Sequence, residues 1–184
     1  MQSPAELLRL IHNLIKLGTV ADIDLSAARC RVAIGDLLTA WLPWLTARAG
    51  ESNTWDPPSI GEQVVILSPG GDLACGIVLA GLYQTSRPAP SDKASEWRRE
   101  FPDGSWVAYD AATHELAVSS IATVKITAAD GLQILGVTTI DGNTTINGTV
   151  DFNGSSVKHN GTNIGGTHRH GLVQSGPDIS GDPQ

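Results

Sequence analysis

Two histidines that stand two residues apart, His168 and His170, are the residues of this 184-residue sequence best suited to chemistry. On an extended strand such residues point to the same face, with Cα atoms about 6 to 7 Å apart. Two imidazoles from one chain make a poor metal site, whereas three chains around a three-fold axis supply six nitrogens in an octahedron. Zinc prefers four ligands, so six imidazoles favour iron, with nickel and cobalt as competitors. We therefore predict one structural iron per trimer, against the alternative of two surface-loop histidines.

Other potential ligands are more scattered along the chain. His159 either packs beside the same axis or forms a second ligand layer. His12, on a predicted helix, and His114, beside a predicted turn, are not expected to bind metal. Asp178 and Asp182 are able to bind calcium through oxygen ligands, but the favoured interpretation is a polar tail.

The charge of the chain excludes one class of partner. Twelve Lys and Arg residues stand against nineteen Asp and Glu residues, which leaves a formal charge of −7 and no basic field for phosphates. The basic pair Arg98 and Arg99 lies between Glu96 and Glu100 and is interpreted as a solvated stretch. No nucleic-acid partner is therefore predicted. The sequence also has no nucleophile elbow, Cys/His nucleophile signature or phosphate loop, so we predict no enzymatic activity.

The two cysteines and the N-terminal residues indicate the compartment. Cys30 and Cys75 lie in apolar, strand-like surroundings and are predicted to be reduced core thiols. The apolar stretches are far shorter than the roughly 20 residues that a membrane-spanning helix needs. Residues 1–6 lack the positive region of a secretory signal. We therefore expect synthesis in the cytoplasm.

A short amphipathic helix is predicted for residues 1–18. Ser3 suits the N-cap, Pro4 the first helical position and Glu6 a capping box, while Gly18 marks the end. Apolar residues recur at helical spacing, at Leu7, Leu8, Ile11, Leu14 and Ile15. This apolar face packs either on its own domain or on a neighbouring subunit.

Residues 19–88 predict a small all-β domain. Alternating segments are separated by turns rich in Gly, Pro and Asp, and lie at 19–24, 29–34, 61–67 and 74–82. About five short strands in about 70 residues are typical of a closed barrel of the OB type. Residues 89–102 combine prolines with a charged run and predict a linker.

A six-residue period marks the C-terminal third of the chain. Segments that begin at Ile140, Ile146 and Phe152 each place an apolar residue before Asn or Asp and then Gly, and His159 repeats the motif. Regular glycines between very short β-segments are typical of a β-helix. Residues 103–165 are thus predicted to form strands, at 114–118 and 122–127 among others, and then a β-helix. So short a repeat cannot bury a core alone, so three chains must share one axis and pair their backbones.

Several of these stretches resemble one protein family. Residues 55–64, 68–73 and 81–83 resemble the barrel of phage baseplate assembly protein V. Residues 101–104, with Tyr109, Asp110 and 114–116, resemble the stretch of that family that leads into the β-helix. The run His168-Arg169-His170 matches its His-x-His iron motif, and the short chain is also similar to the spikes of R-type pyocins.

The resemblance implies a homotrimeric central spike of a contractile-tail baseplate, in a phage or a headless pyocin-type particle. Such a spike sits under the tail tube on the baseplate hub and is pushed through the target outer membrane when the sheath contracts. His168 and His170 carry over as iron ligands. The expected fold is all-β with a short N-terminal helix: an OB-type barrel, an intertwined trimeric β-helix, and a metal-bound apex at 166–184.

Two other functions are considered. A receptor-binding fibre tip would display varied aromatic or polar loops, whereas the end of this chain is Gly-rich and almost free of rings. A hexapeptide-repeat acyltransferase is also a β-helical trimer, but it needs many coils of about 18 residues, and this chain has about two. Both alternatives are less favoured than the spike.

Overall fold

The computed structural model describes residues 3–165, and its internal contacts divide the chain into two units, 1–125 and 126–184. Helix α1 spans Pro4–Asn13. The strands of the first unit are β1 (Ile15–Asp24), β2 (Arg29–Ile34), β3 (Leu37–Leu38), β4 (Leu42–Pro43), β5 (Gln63–Leu67), β6 (Ile77–Leu82), β7 (Glu96–Glu100), β8 (Trp106–Asp110) and β9 (Glu115–Ser119). Those of the second unit are β10 (Lys158–His159) and β11 (Thr162–Asn163).

Helix α1 begins as predicted and ends earlier than predicted. The Ser3 hydroxyl accepts a hydrogen bond from the Glu6 N–H at 3.2 Å, while the Glu6 carboxylate forms an ion pair with Arg9 at 2.7 Å. The last helical residue is Asn13, because β1 begins at Ile15. The predicted helix over 1–18 is therefore wrong at its C-terminal end, where pairing of β1 with β5 replaces the helical pattern.

Gly18 lies inside β1 and does not end the helix. A Cβ atom at Gly18 would lie 2.7 Å from the carbonyl oxygen of Ala33 and would also meet the side chain of Val32. Glycine thus permits the close approach of β1 to β2, which is a common role of glycine in strands.

Residues 15–82 contain a closed barrel whose named strands all pair antiparallel. Its strands follow the order β3-β2-β1-β5-β6, β4 pairs with β2, and a parallel bridge from Trp44 to Val78 closes the sheet. Closure leaves no long open edge, which protects the barrel from edge pairing. Alternate residues point inward and form the core, which contains Val20, Cys30, Val32, Leu42, Val64, Ile66 and Val78.

The two cysteines differ in burial. Both thiols are free, as predicted. Cys30 is fully buried in the barrel core. Cys75 is exposed in a short 3-10 turn, Leu73–Cys75, so the prediction that it is a core thiol is wrong.

Part of the predicted linker, 89–102, is a strand. β7 pairs with β8, which pairs with β9, in a three-stranded antiparallel sheet. The charges at Glu96, Arg98 and Glu100 share one face of β7, and Arg98 lies 3.6 Å from Glu96 and 2.7 Å from Glu100. Charge at every second residue is the period of a strand, and this signal distinguishes the segment from a flexible linker.

The second unit has little pairing within one chain. Among the described residues beyond 119, strands occur only at β10 and β11, so the predicted strand at 122–127 does not form in the single chain. Between residues 3 and 165 no helix combines the length and hydrophobicity needed to cross a membrane.

Candidate functional site

The predicted metal ligands, His168 and His170, lie outside the described residues, so the iron site stays a prediction. Within residues 3–165 no group of three or more His, Cys, Asp or Glu side chains is placed to hold a metal ion. The donor chemistry expected at the tip therefore depends on those two histidines and on copies of the chain.

The other three histidines occupy separate places. His12 is exposed in the last turn of α1, and His114 is exposed in the turn before β9 with a φ of 58°. His159 lies on β10, where its Nε2 is 3.3 Å from Nδ2 of the Asn160 side chain. No two of these histidines lie on the same element.

A hairpin, β10–β11, replaces the fourth repeat of the predicted six-residue period. Asn160 and Gly161 have φ values of 47° and 81°, which is the backbone of a two-residue type I′ turn. The register pairs His159 with Thr162, and the Ile164 N–H donates to the Val157 carbonyl at 2.7 Å. Asn-Gly between two short segments was the sequence signal for this hairpin. His159 consequently shares one face with Val157, Thr162 and Ile164.

The C-terminal segment, residues 126–164, exposes its apolar side chains. Leu135 is 85% exposed and Val137 is fully exposed. The other exposed apolar residues are Ile126, Leu132, Ile134, Ile140, Ile146, Val150, Phe152 and Ile164. Proteins in water rarely leave so many apolar side chains exposed along one segment without a partner surface.

Glycines recur along the same segment with positive φ. Gly136, Gly142 and Gly148 follow one another at intervals of six residues, with φ values of 125°, 133° and 159°. A Cβ atom added at any of the three would meet no heavy atom within 4 Å in the single chain. Glycine is therefore favoured at these positions by the positive φ of the backbone and not by neighbouring atoms of the same chain.

The β7–β8–β9 sheet also exposes one apolar face. Trp97, Tyr109 and Leu116 form one row across the three strands, and all three are exposed. Arg99, Val107 and Val118 form the next row, so this face is apolar apart from one arginine. A three-stranded sheet with such a face is stable only when that face is packed against something. This surface was missed from the sequence because its first strand was interpreted as a linker.

The opposite face of this sheet carries ion pairs. The pKa of Asp110 is lowered, chiefly because its carboxylate accepts a hydrogen bond from the Ala112 N–H at 2.9 Å, with further contributions from Ser95 and Lys93. Asp110 also lies 3.7 Å from Lys93. A lowered pKa keeps the group ionised at neutral pH, which does not suit a general acid. The Asp110 carboxylate therefore stabilises the turn after β8 and the sheet itself.

A cleft of about 640 Å³ lies beside the barrel, and its polar groups are engaged in structure. An ion pair joins Arg99 on β7 to Asp56 in the loop before β5. The Glu62 carboxylate accepts hydrogen bonds from the Ser59 N–H at 2.8 Å and from the Gly81 N–H at 3.1 Å. The lining residues include no histidine, cysteine or lysine.

The closed barrel defines the class of protein. Residues 16–83, from β1 to just beyond β6, match the family model of the Type VI secretion system/phage-baseplate injector OB domain. The predicted OB-type barrel is thereby confirmed.

The chain is also similar to a curated spike protein. The chain is 47% identical over 124 residues to the Spike protein of Escherichia phage P2, an alignment that covers 67% of this chain and 59% of that protein. The chain thus matches less than two thirds of the length of this relative. The predicted likeness to the phage baseplate spike family is confirmed by these two matches.

Proposed function

We propose that this chain is the central spike of a contractile-tail baseplate, and that it pierces the outer membrane of a target bacterium. The observation that carries the proposal is the combination of an injector OB domain with a C-terminal segment that exposes its apolar side chains in the single chain. The similar protein of phage P2 is named Spike protein. The role is mechanical, and no catalytic step is assigned to it.

Three copies of the chain are proposed to share one axis through the C-terminal segment. In such a trimer Ile140, Ile146, Val150 and Phe152 point inward and form a common core that one chain is too small to make. The exposed row Trp97, Tyr109 and Leu116 requires cover in the same way. Backbone pairing between chains also satisfies the polar groups that have no strand partner within the single chain.

The tip is proposed to hold one iron ion per trimer through His168 and His170 of each chain. Six imidazoles fill an octahedral site and leave no open position for water activation, so the metal has a structural role. A narrow tip has little room for apolar side chains, and metal bonds would then hold the three chains together. His159 packs or is solvated beside the same axis, and a second layer of ligands there is the less favoured alternative.

The proposed partners follow from this role. The barrel end contacts the hub and tail-tube proteins of the baseplate, and the tip makes mechanical contact with the outer membrane. Assembly takes place in the cytoplasm of the producing bacterium, and the finished spike is part of a phage virion or a pyocin-type tail.

Solution mass and metal content of the purified chain test the proposal together. We expect a trimer with about one iron per three chains. His168→Ala and His170→Ala should each lose iron while the far-UV spectrum of the barrel is kept, and His114→Ala is the matched control that keeps the iron. A monomeric wild-type chain would refute the spike. A trimer that keeps its iron in a variant carrying both His168→Ala and His170→Ala would refute only the metal assignment.

The apolar core of the proposed trimer has its own test. Phe152→Ser should lower the urea concentration at which the trimer dissociates, because it places a hydroxyl on the shared axis. Thr149→Ser, a polar substitution in the same repeat, should leave that concentration almost unchanged. Equal behaviour of the two variants would contradict an inward-facing Phe152.

A further inference from the structure

The cleft beside the barrel is lined by an exposed aromatic ring that is held in place. Trp55 is 62% exposed, more than any other tryptophan of the chain. Its ring centre lies 5.8 Å from that of Trp44, with 59° between the two ring planes, and Trp44 packs against the barrel core. A tilted ring pair at this distance is a favourable contact. Trp55 therefore presents a positioned ring face to the cleft.

An ion pair in the same cleft has hydrogen-bonding atoms to spare. The Arg99 guanidinium donates to the Asp56 carboxylate, and the two side chains are 47% and 55% exposed. Across the described part of the chain, neither side chain forms another hydrogen bond. A guanidinium has five N–H donors and a carboxylate two acceptor oxygens. Each group thus orients the other and keeps most of its donors or acceptors for a ligand.

Hydrogen bonds fix the walls of the cleft in the single chain. The Glu62 carboxylate joins the loop at Ser59 to Gly81 on β6. On the other wall, the Thr54 N–H donates to the Arg48 carbonyl at 2.9 Å, and the Arg48 N–H donates to the Thr54 hydroxyl at 3.2 Å. A preformed site loses less conformational entropy when it binds. The volume of about 640 Å³ is also within the range of small-molecule sites, which is about 300–1,000 Å³.

The lining of the cleft favours a neutral ligand with many hydroxyl groups. Two carboxylates, Asp56 and Glu62, against one guanidinium, Arg99, leave a formal charge of −1, which repels phosphates. A sugar ring has an apolar C–H face that packs on an aromatic ring. Its neighbouring hydroxyl groups donate to a carboxylate and accept from a guanidinium. Trp55, Asp56 and Arg99 supply these three partners.

A peptide is the competing class of ligand. Extended peptides bind by pairing their backbone with an exposed strand edge, and proline-rich peptides bind in grooves lined by aromatic rings. The wall next to Trp55 is a loop and contains Pro57 and Pro58, which have no N–H to donate to a peptide backbone. The side chains of the cleft therefore fit a sugar better than a peptide.

We propose that the cleft binds a neutral oligosaccharide, with one sugar ring stacked on Trp55 and its hydroxyl groups bound by Asp56 and Arg99. The site lies on the connection between β4 and β5, and not on the strand face with which OB barrels commonly bind ligands. Each chain carries the whole site, so binding requires neither the trimer nor the iron. Neutral sugars of a bacterial envelope have two sources: a cell wall of N-acetylated amino sugars, or surface chains of hexoses.

Isothermal titration of the purified full-length chain with tri-N-acetylglucosamine and with maltotriose tests the site. One sugar ring on one aromatic ring is a small contact, so we expect a Kd on the order of 1 mM for at least one probe. Trp55→Ala should weaken binding about tenfold or more, and Trp55→Phe, which keeps a ring, about threefold or less. Arg99→Lys keeps the charge without the planar fork and should weaken binding about fivefold. Tyr83→Ala, at an aromatic residue that is 67% exposed outside the cleft, is the matched control and should keep the affinity.

The results separate the cleft from other modes of binding. Binding of either probe that is lost in Trp55→Ala and kept in Tyr83→Ala supports the site, and the tighter probe identifies the source of the sugar. Absence of binding of both probes at about 20 mM, twenty times the expected Kd, overturns the proposal, as does equal affinity of Trp55→Ala and the wild-type chain. If a proline-rich peptide binds through Trp55 while both sugars fail, the cleft is a peptide site. Circular dichroism shows whether each variant is folded, and Arg99→Lys decides the result if Trp55→Ala is not.

Discussion

Gly71 is where the backbone of α1 touches the barrel, and its replacement by alanine tests how the helix is held. A Cβ atom at Gly71 would lie 2.6 Å from Cα and 2.7 Å from the carbonyl carbon of Leu10. Both are backbone atoms, so no side-chain rotation relieves the overlap. Gly71 also has a φ of 73°, in the left-handed region. An L-residue in this region costs about 1–2 kcal/mol.

The neighbouring Gly70 is a matched control for the backbone term. It has a φ of 67°, and a Cβ atom added there would meet no heavy atom within 4 Å. Gly70→Ala should therefore lower the free energy of unfolding by the conformational cost alone, about 1–2 kcal/mol. Gly71→Ala should add the cost of moving α1, which for overpacking is about 1–3 kcal/mol. We expect a total loss of about 2–5 kcal/mol.

Urea unfolding followed by tryptophan fluorescence measures both losses, with all variants at one protein concentration because trimer stability depends on concentration. Trypsin cleavage after Arg9 reports on α1 itself and should be faster in Gly71→Ala than in Gly70→Ala. Equal losses of stability and equal cleavage rates in Gly70→Ala and Gly71→Ala would refute a close contact between Gly71 and the backbone of α1.

Two further predictions concern the barrel core. The buried Thr39 hydroxyl accepts a hydrogen bond from the Val32 N–H at 3.0 Å, so Thr39→Val should lower the free energy of unfolding in urea by about 1–3 kcal/mol. Thr46→Val removes an exposed hydrogen bond and should lower it by less than about 0.5 kcal/mol. Equal losses in the two variants would contradict a buried bond at Thr39. Burial raises the pKa of the Cys30 thiol from 9.0 to about 11. A thiol reagent near pH 8 should therefore modify Cys75 and leave Cys30 intact until unfolding. Because the unfolded chain releases the Cys30 proton first, stability should fall as pH rises from about 9 to about 11, and a flat profile would contradict this burial.

Local patterns predicted the barrel strands well and the helix end poorly. The alternation in β2 is visible in the sequence, and Arg29–Ile34 is the strand that was predicted. Helical spacing of apolar residues continued through Ile15, yet Ile15 pairs with Leu67 in the barrel. Pairing between distant segments overrode a local pattern, and such pairing leaves no mark within a window of ten residues.

The predicted linker failed for a related reason. Prolines and charges before Trp97 were typical of a flexible segment, but Glu96, Arg98 and Glu100 alternate with residues of the opposite face of β7. Arg98 lies 4.5 Å from the centre of the Trp106 ring, so its charge is part of a packed sheet face. Composition alone does not distinguish a solvated charge from one that stacks on an aromatic ring.

The amino-acid sequence by itself determined which residues alternate into the barrel core, where the helix begins, and where the Gly-rich repeat and the His168–His170 pair lie along the chain. Those features depend on neighbours within a few residues. Only the tertiary structure decided that Gly18 lies against β2 and that Gly71 contacts the backbone of α1. It also decided that β1, β5 and β6 align apolar residues on the outer face of the barrel. Each of these depends on the register and close approach of segments far apart in the chain, which side-chain periodicity does not encode.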